Sequence, residues 1–476
     1  MEGISSIPAS ALNLFGNVVG AGMFSMPWCL KEATLITGAC VFLFMCTLNI
    51  TSFMLLAESC ELAGGKFSYL KLGEQAFGRR FGVVAQVTTI CYAAGSLVSY
   101  VVLAADCMVG KGTGIIALYF GDGSFFGGGS FAARAVVTFG FATVAFLPMS
   151  LMRTLDSVKY AAIFAVGAVL FAGSVVVLEL VSNPPESRAD DDKNTFDDVS
   201  GGVASSVVYL GFPLSLWEAI PIINVSFTAH YNGPRFYQEL SNRGLARFRR
   251  VVSLSLVSAL VVYLAVAASG YLAFGDGVQG DVLTNFRDTY TLAVAARGCL
   301  LMVIFAVFPM AQNSLRNGLV LLLYPPEDEH GYPVTADNLP FGPYFRLTAL
   351  VVFCAAMVGT VCAEVEVVLA YKGGIFGTLM VYLLPPLMRT ALSEQALSRM
   401  KAGAAARAVS RDPRAGYSPL MAEAPAPVSP GSSYANYVSD SDNETSPVKQ
   451  KKKLFRRCVS SARGAMSTPP KQPPQQ

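Results

Sequence analysis

The sequence predicts an all-α membrane protein of about ten spanning helices, arranged as two inverted repeats of five, with helices 1 and 6 broken. Composition is the first reason. Of 476 residues, 53% are hydrophobic and 14% charged, and a mean hydropathy of +0.48 exceeds what a soluble interior absorbs. The second is a succession of apolar runs, each close to the length that crosses a bilayer. The third is that the two halves, 9–181 and 214–388, each open with an apolar segment punctured by Gly, Pro or Asn.

A spanning helix needs roughly 20 residues at about 1.5 Å rise each. Ten runs meet this: 9–30, 34–57, 82–109, 131–151 and 157–181, then 214–232, 250–274, 289–323, 344–363 and 365–388. The first has no basic residue before it and no cleavage site, so it reads as a retained helix after a short cytoplasmic stretch, 1–8. Basic residues translocate poorly and mark the cytoplasmic loops. Lys66, Lys71, Arg79 and Arg80 follow the second span, Arg153 and Lys159 the fourth, and Arg235, Arg243, Arg247, Arg249 and Arg250 the sixth. The loop after the fifth span is acidic, from Asp190 to Asp198, and both termini fall on the cytoplasmic side.

Residues 200–213 suit either an interfacial helix or an early start to the sixth span. From 390 the chain turns to Ala, Pro, Ser and Arg, which predicts a disordered cytoplasmic tail, 390–476. The tail carries a basic cluster, Lys449 to Arg457, suited to anionic lipid or simply to solvent. It also carries Tyr417-Ser-Pro-Leu420, a short pattern of the type read by sorting adaptors.

The net charge of +3 is spread over loops and tail, so no nucleic-acid partner is expected. Ten cysteines lie scattered, mostly in apolar runs, without a C-x-x-C pair, and with only two histidines no metal site or disulfide framework is implied. There is no nucleotide-binding loop. No catalytic residue and no cofactor are assigned, and the chain does not read as an enzyme.

The broken helices carry the functional signal. The first span reads Asn13-Leu-Phe-Gly16-Asn17-Val-Val-Gly20-Ala21-Gly22-Met-Phe-Ser25-Met-Pro27. Each glycine disfavours a helix by about 1 kcal/mol and proline by about 3. Unwinding there exposes backbone N–H groups at the start of a half-helix, a setting that suits a carboxylate. The bland alternative is that small residues let a neighbouring helix approach. The sixth span repeats the pattern, from Glu218 through Pro221, Asn224, Ser226, Phe227, Thr228 and His230 to Pro234, and paired interruptions favour a site in the membrane.

With NLFGNVVGAGMFSMP, IPIINVSFTAHYNGPRFYQEL, FPMAQNSLRN and KGGIFGTLMVYLLPP, the chain resembles the amino acid/auxin permease family, within the amino acid, polyamine and organocation superfamily. The resemblance covers 9–388 and implies a LeuT-like fold and secondary active transport of a neutral or cationic amino acid. It implies that Gly20, Ala21 and Gly22 bind the substrate carboxylate, while the break from Asn224 through Ser226 and Phe227 to Thr228 faces the amino group. Phe227 is a candidate pocket wall. Many relatives have eleven spans rather than ten.

The family holds sodium- and proton-coupled carriers. Where sodium-coupled members place an Asn and a Thr, this chain aligns Gly16 and Met302, so a proton is favoured over sodium. Asn13 and Asn17 keep a displaced cation site open. Candidates for the proton are Asp106, Glu218, His230, Arg297 and Lys372, because charge within a span is costly and usually functional; Glu364 or Glu366 is a candidate partner of Lys372. The alternatives are a sodium-coupled carrier and a membrane amino acid sensor signalling through its tail. Plasma membrane and vacuolar, lysosomal or endosomal membranes fit equally.

Overall fold

The computed structural model describes residues 5–109, 114–120, 125–126, 130–152, 158–182, 207–286, 290–324, 336–362 and 364–411. Helices dominate them, and the one β contact among these residues is a bridge between Ser5 and Leu240.

α1 (Ile7–Val18) starts where the Ser6 hydroxyl accepts the Ala9 amide at 3.4 Å and Pro8 occupies the first turn. A 3₁₀ turn, Ala21–Ser25, joins it to α2 (Met26–Ala33), and the two halves bend by 54°. Thr34, at φ +64°, turns the chain sharply into α3 (Leu35–Leu62). Gly38 makes that turn tight: a Cβ there would lie 2.5 Å from the Leu30 side chain. A short α4 (Tyr69–Phe77), capped by Ser68, leads into α5 (Arg79–Val109). α6 (Ile115–Phe120) follows, then α7 (Phe131–Phe141), which passes through a π turn into α8 (Leu147–Ser150), and α9 (Val158–Ser182) closes the first half.

The second half repeats this order. α10 (Leu216–Phe227), a 3₁₀ turn at His230–Asn232 and α11 (Gly233–Glu239) form its broken helix. α12 (Leu245–Phe274), α13 (Thr291–Leu323) and α14 (Phe341–Val361) are continuous, and α15 (Val365–Tyr371) runs through π-helical turns at Lys372–Gly377 and Leu379–Leu383 into α16 (Leu384–Arg411). Among the described residues, eight helices are long and apolar enough to cross a membrane. Counting the bent pair α1–α2 as one span brings this to nine, as befits a multi-pass membrane protein; the tenth expected span falls on the broken helix α10–α11, which is not among them. Outward faces carry exposed apolar side chains such as Leu43, Phe44, Val261 and Leu350, as lipid contact requires.

α5 is the axis of the bundle and its most buried span; α4, α7, α13 and α14 surround it. α12 packs on α1, α2, α3 and α9. α10 crosses the π-helical turn so closely that a Cβ on Gly373 would lie 2.1 Å from the Pro221 carbonyl oxygen. Glycine at 373 is what lets the backbone of Pro221 approach this closely.

Two seams tie the halves together. On one side the Ser5 amide donates to Glu239 O at 3.0 Å and the Ser241 amide to Ser5 O at 2.9 Å. On the other, residues 207–213 run extended beside the start of α3. The amides of Leu35 and Ile36 donate to Val208 O and Tyr209 O, and the Thr37 hydroxyl to Gly211 O at 2.7 Å. The described part of 200–213 is thus neither of the helices its composition suggested.

The tail boundary also moves. α16 continues to Arg411, past the expected limit of 390, because ALSEQALSRMKAGAAARA consists largely of strong helix formers. Leu392 is buried, and the Gln395 amide donates to Gln75 O and Ala76 O at 3.0 Å each. Tyr417–Leu420 and the basic cluster lie outside the described residues.

Candidate functional site

Both breaks open onto one cavity. After Val18 the backbone leaves the helix at Gly20 (φ −132°, ψ −155°), and the 3₁₀ turn that follows begins with amides that have no intrahelical acceptor. α10 ends at Phe227, and Thr228 and Ala229 are non-helical before the next turn. Tyr263 of α12 bridges the breaks, its hydroxyl 2.8 Å from both Val18 O and Ser226 O. Tyr92 of α5 reaches Thr228 O at 3.2 Å and Val225 O at 3.4 Å.

The cavity between them measures about 50 Å³ and is lined by Asn17, Gly20 and Gly22 from the first break, Ser226 and Thr228 from the second, and Lys372 from the π-helical turn. Tyr92, Ser96, Ser99, Tyr100 and Tyr231 complete the polar wall. A Cβ on Gly20 would meet nothing within 4 Å, so a side chain there projects into open space. Gly22 faces the Ser226 hydroxyl, 3.0 Å from where a Cβ would stand. Asn17 Oδ1 accepts the Tyr231 hydroxyl at 3.1 Å.

Six of the sequence candidates therefore converge: Gly20, Gly22, Ser226, Thr228, Asn17 and Lys372; the backbone of Ala21 lies in the same turn. The others lie elsewhere. The Asn224 side chain faces away, accepting the Tyr382 hydroxyl at 2.7 Å and the Asn49 amide at 3.4 Å, and its carbonyl takes the Thr228 hydroxyl at 2.8 Å. Phe227 is not a pocket wall: fully buried, it meets Phe42 and Tyr263 edge-on in the core. His230 stacks on Phe53 with ring centroids 3.8 Å apart, outside the cavity lining. Asp106 is taken by Arg134 of α7 at 2.5 Å, while Glu218 and Asn13 are exposed.

Two inferences from alignment change. Met302 is 57% exposed on the outside of α13, so its identity says nothing about a cation site facing α1. Gly16 faces Val166 of α9, a contact that a Cβ would tighten to 2.9 Å. Lys372 pairs with neither proposed acid: Glu364 is exposed, and the Glu366 carboxylate lies against Gly280 in the loop after α12.

Among the described residues, Lys372 is the one formally charged residue lining the cavity. It is 8% exposed, its stem passes Gly95 of α5, and its Nζ stands 4.7 Å from the Tyr92 ring centroid. No carboxylate pairs with it among the described residues. A cation–π contact returns about 0.5–2 kcal/mol, against several kcal/mol for desolvating an ion. The ring alone does not balance the charge.

Sequence reasoning missed the stripe Tyr92, Ser96, Ser99 and Tyr100. Its signal was present: steps of four, three and one residues put all four hydroxyls on adjacent positions of one helix face.

The family model described as transmembrane amino acid transporter protein matches residues 3–409. The chain belongs to this family. Amino acid transporter AVT6E of Arabidopsis thaliana is 26% identical over 335 residues, 67% of this chain and 64% of that protein. Solute carrier family 38 member 10 of Homo sapiens is 24% identical over 386 residues, 81% of this chain and 32% of that protein. The chain thus spans less than two thirds of the length of both. Vacuolar amino acid transporter 5 of Schizosaccharomyces pombe is 20% identical over 381 residues, covering 79% of this chain and 82% of its own. Mhp1, a nucleobase-cation-symport-1 family transporter solved in a closed conformation, superposes with a TM-score of 0.51 at 14% identity, covering 80% of this chain and 78% of that one. The fold of this transporter family member is accordingly LeuT-like, with its two broken helices in the expected places.

Proposed function

We propose that the protein is a secondary active amino acid carrier whose substrate binds between the two broken helices. The supporting observation is the cavity itself, where open amides at Gly20–Gly22 face the end of α10. The amides suit an α-carboxylate and the helix-end carbonyls an α-amino group. Family membership agrees with this substrate class.

Proton coupling is the favoured drive. A sodium ion in so small a cavity would stand against the Lys372 ammonium, whereas a proton adds no second ion. Lys372 is also the lining group, apart from the tyrosines, able to gain or lose a proton. Its charge speaks against cationic substrates and for neutral or anionic ones. With a neutral substrate, one proton moved inward across 100 mV supplies about 2.3 kcal/mol, close to 50-fold accumulation; with an anionic substrate the pair is electroneutral and the pH gradient alone drives it.

Purified protein in liposomes, given labelled amino acids under separately imposed pH and sodium gradients, tests this. Accumulation driven by pH alone is expected. A strict sodium requirement removes the coupling mechanism, and no uptake under either gradient removes the carrier reading.

A further inference from the structure

Lys372 lies at the cavity, and among the described residues no acid pairs with it. Asp106, on the same helix as Tyr92 and Ser96, is bound by Arg134, and Glu366 turns toward Gly280. The position is built, not incidental. The stem passes α5 only because residue 95 is glycine: a Cβ there would come within 3.1–3.2 Å of Lys372 Cβ, Cγ and Cδ. The helix that carries it is held against α10 by Gly373.

We propose that Lys372 is the specificity-determining residue of the cavity and receives the side-chain carboxylate of an acidic amino acid. This rests on the carrier reading above and deepens it. The substrate's two ends are already matched by backbone, the α-carboxylate by the Gly20–Gly22 amides and the α-amino group by carbonyls of the α10 break. What remains for side chains is the third group of the substrate. The lining offers that group hydroxyls, one amide and one lysine amine. A second carboxylate completes the ammonium in a place where water is scarce and the attraction correspondingly strong. A substrate lysine or arginine would instead bring a like charge beside the Lys372 amine. The order of preference is acidic, then neutral, then cationic.

The test is uptake of labelled aspartate, glutamate, alanine and lysine by the full-length protein in liposomes, for wild type, Lys372→Met, Lys372→Arg and Gly95→Val. Wild type is expected to take up aspartate or glutamate over alanine by about tenfold or more, a single charged contact's worth of discrimination. Lys372→Met should lower that ratio by about tenfold, and Lys372→Arg should keep most of it. Gly95→Val, which crowds the lysine stem while leaving its charge, should lower the ratio in the same direction. Wild-type uptake of alanine or lysine in preference to both acids overturns the assignment while leaving the carrier reading intact. An unchanged ratio in Lys372→Met also overturns it. Silence toward the whole panel removes the carrier reading and this inference with it. Where Lys372→Met does not fold, the wild-type panel decides.

Discussion

At the scale of single residues, Gly20 is the most direct handle on the site. Because a Cβ there meets nothing within 4 Å, Gly20→Val is expected to fold and reach its membrane normally while filling the space a carboxylate needs. Ligand-induced thermal stabilisation should vanish while the unliganded melting temperature shifts by only about 2 °C or less, the range of a mild substitution. Substrate binding by a folded Gly20→Val would refute the assigned carboxylate position. Gly20 and Gly22 were legible in the sequence because glycine placement reports backbone irregularity directly. Phe227 and Asn224 were not, since helical phase is lost at a break, and neighbours in sequence then face different elements. Tyr263 lay in an unremarkable apolar run, and only three-dimensional proximity gives it a role.

At the scale of elements, the loop between α12 and α13 has its own acid–base character. Asp281 caps the turn Val282–Asn285 by accepting the Leu283 amide at 3.0 Å, and Arg297 of α13 donates to Leu283 O and Phe286 O at 2.9 and 2.7 Å. Burial pushes the Asp281 carboxyl up to about 7, against the help of its amide donor. An unfolded aspartate titrates near 3.9. Between those values the folded protein holds the extra proton, so this group's contribution to stability is full below about pH 4 and declines as pH rises through about 7. Asp281→Asn retains the acceptor without the charge. Its melting temperature in detergent should fall less than that of wild type between pH 5 and pH 8; equal slopes would count against Asp281 as the source. Hydropathy located this loop between two spans but was silent on its internal bonding, which depends on Arg297 arriving from the next helix.

At the scale of the whole molecule, the eight continuous spans and the two broken helices were readable because bilayer thickness and backbone satisfaction constrain any chain of this composition. The end of the last helix was less readable. Its final turns are polar, and their attachment to α4 through Gln395 appears only in the folded chain. Two truncations follow from that difference. Removing 412–476 should leave uptake within about twofold of the full chain. Removing 390–476 also strips the buried Leu392 and the Gln395 contacts, and should lower the melting temperature by several degrees, consistent with about 2 kcal/mol or more from these groups. Loss of uptake on removing 412–476 from a stable protein would favour a signalling role for the tail.

The Tyr263 hydroxyl stands 2.8 Å from two helix-end carbonyls, yet a phenol has one hydrogen to give. At any instant either Val18 O or Ser226 O goes without it. An ammonium, with three hydrogens, can serve the neglected oxygen without depriving the other. In the carrier reading proposed above, an arriving amine would supply the hydrogen that the phenol cannot, and would tie both broken helices to the same guest.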